Sequence, residues 1–243
     1  MSLTVTVLGC AGSYPEPGNA CSGYLVRSPG GTVVVDFGSG SLANLQRHVE
    51  LGQIDALVLT HEHPDHWLDL PILRNAMRYY LGLEGLAVYG TSGVHEQAQA
   101  IQSDLAPTLK WTTLGGASQV QVGDQSLTFS VTDHPVETVA VRVAAAGRTF
   151  VYSADTGSGW AREGFVDGAD LLLCEATLAE EHEDELQHLS GRQAGALARE
   201  AGVGQLVLTH IAPILDPEVQ RSAAEAAFGG PVDLAVVHQT FVV

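Results

Sequence analysis

The chain is poor in basic residues: among 243 amino acids 11 are Lys or Arg, Lys110 is the single lysine, and 28 are acidic. The resulting net charge of −17 repels nucleic-acid phosphates unless a local basic patch overrides the field. Cysteine is equally scarce. Cys10, Cys21 and Cys174 are odd in number and contain no Cys-x-x-Cys pair, which argues against a disulfide framework and against a cysteine zinc site. No apolar run approaches membrane-spanning length. Met1 to Gly9 alternates like a strand and lacks the basic segment of a signal peptide, so the expected location is the cytoplasm. No low-complexity segment or linker divides the chain.

What is present is enough apolar material, 45% of residues, for one α/β domain spanning residues 1–243. Leu3 to Gly9, Cys21 to Arg27 and Thr32 to Asp36 read as strands, the first followed by a Gly/Pro-rich loop from Cys10 to Asn19. Leu42 to Leu51 has helical spacing, and Asp55 to Thr60 is a short apolar run suited to a strand buried on both faces. A helix is expected from Trp67 to Tyr80, a strand over Leu86 to Tyr89 and a helix from Ser92 to Leu105. The second half repeats the grammar, with strands over Leu127 to Thr132, Thr138 to Val143, Thr149 to Ser153 and Leu171 to Cys174. A helix over Arg192 to Ala201, a strand over Gln205 to Thr209, a helix over Pro217 to Phe228 and a strand over Leu234 to Val237 complete it. Meandering strands followed by strand–helix alternation predict two sheets packed face to face with helices outside.

The chemistry is concentrated in Thr60-His61-Glu62-His63-Pro64-Asp65-His66, immediately after the buried run Ala56 to Leu59. Loops at the carboxyl ends of strands are where α/β proteins build sites. One metal cannot easily use His61, His63, Asp65 and His66 together, but two adjacent metals can. Other strand ends offer matching donors: His134 after Leu127 to Thr132, Asp155 after Thr149 to Ser153, and His210 after Gln205 to Thr209. A solitary histidine at a strand end is usually an ordinary polar residue; donors at four strand ends are a poor match to chance. His48, His95, His182 and His238 belong to no such motif and are not expected to be ligands. The glycine-rich loop from Gly9 to Gly18 reads first as an inter-strand turn that could border the site.

These motifs resemble the metallo-β-lactamase superfamily, and within it the ribonuclease Z-like phosphodiesterase branch, from Gly9-Cys10-Ala11-Gly12-Ser13 to Leu208-Thr209-His210. The resemblance implies an α/β fold, the four-layer αββα metallo-β-lactamase sandwich. It implies one metal on His61, His63 and His134, a second on Asp65, His66 and His210, and Asp155 bridging both. The ligand chemistry suits two divalent ions, zinc first, with Mn2+ or Fe2+ as plausible occupants. Asp36, in Val35-Asp36-Phe37-Gly38, resembles the family's buried carboxylate behind the ligands. Glu175 and His188 resemble the pair that protonates the leaving group, while Asp65 could orient the nucleophile or accept its proton. A metal-bridging hydroxide would attack phosphorus in line. The sequence departs from the branch at Cys174, where histidine is common, and at His188-Leu189-Ser190, where His-Ser-Thr is common.

The interval Trp67 to Asp133 contains only Arg74, Arg78 and Lys110 as basic residues and no protruding basic arm. That favours a small phosphodiester, and the resemblance to bacterial cyclic-nucleotide phosphodiesterases of this fold suggests 3′,5′-cyclic AMP. Three alternatives stay open: a ribonuclease Z-type tRNA 3′-processing endonuclease, a lactonase or thioesterase, and a metal-binding subunit without turnover. The resemblance suggests a homodimer, which could gather Arg74, Arg78 and Arg192 from two chains into a basic strip.

Overall fold

The computed structural model describes residues 2–243. Its first sheet contains β1 (Thr4–Gly9), β2 (Gly23–Ser28), β3 (Gly31–Phe37), β4 (Ala56–Leu59), β5 (Leu86–Gly90) and β6 (Leu109–Thr113). The second contains β7 (Gln119–Val122), β8 (Gln125–Val131), β9 (Val139–Ala145), β10 (Arg148–Tyr152), β11 (Leu171–Glu175), β12 (Gln205–Thr209) and β13 (Val232–Leu234). The last strand, β14 (Thr240–Val242), returns to the first sheet beside β1, so the order there is β14-β1-β2-β3-β4-β5-β6. The second sheet runs β13-β12-β11-β10-β9-β8-β7. Each sheet is antiparallel at one side and parallel at the other, the parallel strands carrying the helical crossovers.

Strand alternation sorts the apolar residues into three layers of core. Val33, Val35, Ala56 and Val58 face Phe150, Tyr152, Leu171, Leu173 and Val207 between the sheets. Their neighbours Val34, Leu57 and Leu59 point outward onto α1 (Ser41–Leu45), α2 (Leu70–Asn75) and α3 (Ser92–Ile101). On the opposite outer face Val151, Leu172, Cys174, Leu206 and Leu208 pack under α4 (Gly191–Glu200) and α5 (Pro217–Phe228). Strands buried on both faces explain the nearly continuous apolar runs of β4 and β11. Each fully buried aliphatic contributes about 1.5–3 kcal/mol, so these layers dominate stability. The four-layer αββα sandwich is thereby established. No helix among the described residues is long and apolar enough to cross a membrane.

Several boundaries depart from the sequence reading. The helix expected over Leu42 to Leu51 stops at Leu45, because Glu50 is extended and forms a capping box with Gln53 for a separate 3-10 turn, Leu51–Gln53. The helix expected from Trp67 begins at Leu70. Asp65 and His66 occupy a 3-10 turn, Pro64–His66, and the Trp67 indole donates to Glu62 O at 2.9 Å, which fixes a bend before α2. That helix continues as a π turn, Ala76–Leu81, and ends at Gly82 with φ +63°. The strand expected over Leu234 to Val237 lies at Val232–Leu234, and β6, β7 and β14 were not anticipated. Those three are edge strands in which polar or half-exposed residues weaken the alternation.

Candidate metal centre

All seven donors expected from the sequence converge at one rim of the sandwich. His61 and His63 leave β4, His134 leaves β8, Asp155 leaves β10 and His210 leaves β12, while Asp65 and His66 sit on the 3-10 turn. His61, His63, His134 and Asp155 form one group of mutually close donor atoms, and Asp65, His66 and His210 form another. Asp155 faces both. Its Oδ2 lies 3.6 Å from His61 Nε2 and 4.0 Å from His134 Nε2; its Oδ1 lies 3.4 Å from His66 Nε2 and 3.6 Å from His210 Nε2. Within the second group, Asp65 Oδ2 is 3.2 Å from His210 Nε2 and 3.5 Å from His66 Nε2.

Those separations supply a test of fit. A tetrahedral ion with bonds of 2.0–2.1 Å has donor–donor edges of about 3.3 Å. The observed edges bracket that value. Moreover, His61 Nε2 and Asp155 Oδ1 are buried without a hydrogen-bond partner, although a buried polar atom normally has one. Nitrogen and carboxylate donors with orphaned buried atoms fit divalent metal better than a self-sufficient polar network.

The supporting hydrogen bonds set each ring's tautomer. Asp36 is fully buried, and its Oδ2 lies 2.7 Å from His66 Nδ1; a carboxylate only accepts, so Nδ1 carries the proton and Nε2 faces the cluster. Asp36 also accepts from Thr60 N at 2.9 Å, the Thr60 hydroxyl at 3.0 Å and the Tyr152 hydroxyl at 3.1 Å. Since the Thr60 hydroxyl donates to Asp36, its oxygen accepts from His61 Nδ1 at 3.1 Å. One carboxylate therefore orients a histidine of each group. His134 Nδ1 donates to Gln187 O at 3.2 Å. His210 Nδ1 donates to Thr177 Oγ1 at 2.8 Å, and that hydroxyl donates to Glu175 Oε2 at 2.6 Å. Thr177 was absent from the sequence reading; its signal is the spacing of two from Glu175, on the same side of an extended segment.

The backbone is bent to make this rim. Asp36, Ala154 and His210 hold φ of +54°, +51° and +51°, sparsely populated for non-glycine residues and costing about 1–3 kcal/mol each. The loop expected as a plain turn does border the site: Ser13 N donates to Asp65 Oδ2 at 2.9 Å. A Cβ on Gly12 would come within 2.7 Å of His210 O.

Protonation follows from burial competing with the carboxylates. Burial, reinforced by His66, pushes the His61 pKa well below its usual value. Burial opposes charge on His66 as well, but Asp155, Asp36 and Asp65 outweigh it and raise its pKa well above the usual value. Asp155 and Asp65 are both held below the usual carboxylate range: burial raises them, and the surrounding histidines more than offset it. The ionised carboxylates are thus already suited to a cation.

Beside the cluster, His188 Nδ1 lies 2.9 Å from Glu175 Oε1. Glu175 is fully buried and also accepts from the backbone N–H groups of Thr156 and Leu189. Burial disfavours the imidazolium of His188, but Glu175 overrides it and the pKa rises to about 9. A His188 donor atom stands within 4.8 Å of Asp155 and His210. The Cys174 departure has no bearing on this geometry, because its side chain points away into the core beneath α4 and burial raises its thiol to about 12.

The remaining histidines lie outside the cluster. His95 stacks on Trp111 with centroids 4.7 Å apart, His182 pairs with Glu185, and His48 meets His238. Arg74 is buried against Asp104, which also holds Arg78, and Arg192 is bound to Glu183.

Residues 31–211 match the model of the beta-lactamase superfamily domain. The chain belongs to this superfamily, in its ribonuclease Z-like branch. It is 37% identical to the Mycobacterium tuberculosis (strain ATCC 25618 / H37Rv) protein Rv1339 over 99% of this chain and 92% of that protein. It is 35% identical to the probable metallo-hydrolase YhfI of Bacillus subtilis (strain 168), covering 96% of this chain and 97% of YhfI. The crystal structure of YhfI superposes with a TM-score of 0.91 over 98% of both chains. The ribonuclease Z of Methanopyrus kandleri is 28% identical over 93% of each chain. The protein is thus of a hydrolase family and carries a His/Asp cluster suited to metal binding.

Proposed function

We propose that the protein is a binuclear metal-dependent phosphodiesterase for a small phosphodiester, 3′,5′-cyclic AMP being the favoured example. The observation that carries this reading is the Glu175–His188 pair beside the seven donors. Thioester hydrolysis releases a thiolate that needs no such dedicated acid, so the pair favours a reaction that expels an alkoxide, and the ribonuclease Z relative makes a phosphodiester the preferred substrate over a lactone.

His61, His63 and His134 would hold one ion and Asp65, His66 and His210 the other, with one Asp155 oxygen toward each. Two divalent ions supply Lewis acidity and water activation near neutral pH; zinc, manganese and iron all suit the donors. Asp65, steadied by Ser13 N–H, orients the attacking water and can take its proton. His188, protonated and held by Glu175, gives a proton to the departing oxygen, a contribution of about 10²–10⁴-fold. Asp36 and Thr177 keep the ligand rings in their donor tautomers.

The M. kandleri relative keeps ribonuclease Z-type tRNA processing as the second reading. The test is a screen of bis-p-nitrophenyl phosphate, cyclic AMP, a lactone and a thioester, with and without Zn2+ or Mn2+. Metal-dependent turnover of the phosphodiesters, with two ions bound per chain and both metal and activity lost in Asp155→Ala, is expected. Turnover confined to the lactone or thioester would overturn the reading, and absence of all turnover in the two-metal protein would favour a binding subunit.

A further inference from the structure

A cavity of about 670 Å³ contains none of the seven donors. It lies between the loop carrying Glu16 to Asn19 and the segment after β12, and its walls include Ile211, Leu234 and Val237. At one end it meets His238. This residue sits in the turn between β13 and β14 with φ +73°, clamped because its N–H donates to Val7 O at 2.8 Å and Gln239 O accepts from Val7 N. A bulky non-glycine residue in that region is strained, and the flanking β1 bonds hold it there.

His238 Nδ1 lies 2.9 Å from His48 Nε2, and Arg47 Nη1 lies 3.4 Å from His238 Nε2. A guanidinium only donates, so His238 Nε2 accepts and Nδ1 carries the proton that is given to His48 Nε2. The chain of bonds leaves His48 Nδ1–H and the rest of the Arg47 guanidinium as donors without a protein acceptor among the observed bonds. Arg27, on the outward face of β2, adds a further positive charge: after burial, the groups lowering the pKa of His48 are His238, Arg27 and Arg47. No carboxylate acts on it, and neither Arg27 nor Arg47 belongs to an ion pair among the described residues. In a chain of net charge −17, Arg74, Arg78, Arg148, Arg162, Arg192 and Arg221 are in ion pairs, whereas Arg27, Arg47, Arg142 and Arg199 are not, and of these four Arg27 and Arg47 act together on His48.

We propose that Arg27, Arg47 and His48 form a second, non-catalytic site for a phosphate monoester, with His238 fixing the His48 ring so that its free N–H faces the phosphate and with the organic part in the adjoining cavity. Arginine forks match phosphate oxygens, and an imidazole N–H without an acceptor completes the donor set. The walls beyond His238 combine Ile211, Leu234 and Val237 with the carboxylates of Glu16 and Glu218, which suits an uncharged body with hydrogen-bond donors, such as a nucleobase, rather than a bare anion. The site is independent of the proposed phosphodiesterase reaction, because none of its residues belongs to the catalytic rim.

The test uses the metal-loaded wild type and Arg47→Gln, an exposed substitution that leaves the metal ligands untouched. Inorganic phosphate and adenosine 5′-monophosphate are titrated while the imidazole resonances of His48 and His238, assigned with His48→Gln, are followed. Saturable shifts of both resonances are expected, with the nucleotide binding more tightly than phosphate and Arg47→Gln weakening both by about tenfold or more, equivalent to about 1.4 kcal/mol. Metal content and any turnover should be unchanged in Arg47→Gln. An affinity unchanged in Arg47→Gln, or resonances that never move while phosphate saturates the metal centre, would overturn the site. Equal affinity for phosphate and nucleotide would overturn the role of the cavity.

Discussion

Asp36 Oδ2 stands 2.7 Å from His66 Nδ1 and, through the Thr60 hydroxyl, also governs His61 Nδ1. A single buried carboxylate thereby reaches one histidine of each donor group: its charge raises the basicity of His66, and through the Thr60 hydroxyl it orients His61. Asp36→Asn keeps the size but removes that charge. Metal affinity, measured by chelator competition, should fall about 10–100-fold with the fold retained by circular dichroism. Unchanged affinity for both ions would show that the rings are oriented by packing alone.

The Glu175–His188 pair makes two linked predictions. His188→Ala should retain both ions yet lose most turnover of cyclic AMP, whose leaving oxygen needs a proton, and lose much less with p-nitrophenolate as leaving group. Equal losses on the two substrates would remove His188 from the acid role. The pair also has a pH signature. The His188 pKa is raised from 6.5 to about 9, so its stabilising contribution is fully present below about 6.5 and is lost as pH rises through about 9. Wild type should therefore lose more stability than His188→Gln between those limits in urea unfolding. Parallel pH profiles for the two proteins would contradict the assignment.

Gly38 precedes α1 and faces the metal-ligand turn. A Cβ there would come within 1.9 Å of Asp65 O, which is backbone and cannot swing aside. Gly38→Ala should cost about 1–3 kcal/mol as overpacking and, because it displaces Asp65, should weaken one of the two ions more than the other. Unfolding midpoints and metal stoichiometry check the two effects separately.

The sequence revealed most of the rim because metal chemistry restricts donors to a few residue types, and β4, β8, β10 and β12 announce themselves by apolar runs. Glu175 and His188 were legible only through the family resemblance, since each alone reads as an ordinary loop or helix-start residue. The Tyr152 contact with Asp36 and the Thr177 contact with His210 were not legible, since a hydroxyl carries no sign of a distant partner until the segments are brought together; Thr177 showed only its spacing from Glu175. The short helix near Leu45 and the bend before Leu70 were hidden by helical periodicity; Glu50 and the Trp67 indole outcompeted it through specific hydrogen bonds. Edge strand β6 (Leu-Lys-Trp-Thr-Thr) has too mixed a pattern to be recognised without its neighbour β5. Likewise His48 and His238 are 190 residues apart, and only the return of β14 to β1 joins them.

Substrate size is the remaining prediction. A tRNA enzyme must release counterions with lysines and arginines, and the affinity gained scales with how many phosphates they neutralise. Here Arg74 and Arg78 are held by Asp104, and Arg192 by Glu183 and Glu180, so the residues that a dimer could have gathered into a basic strip are already neutralised. Beside His134 a depression of about 270 Å³ is lined by Asp133, Asp184 and Glu185, which repel an extended polyanion at the approach to the rim. A compact monoanion such as cyclic AMP meets fewer of these charges. Its kcat/KM should accordingly exceed that for precursor tRNA by a wide margin at equal metal and physiological salt. Asp184→Asn combined with Glu185→Gln should improve polynucleotide binding while leaving cyclic AMP turnover nearly unchanged. Efficient removal of a tRNA 3′ trailer with no cyclic-nucleotide turnover would reverse the assignment and make the ribonuclease Z reading the correct one.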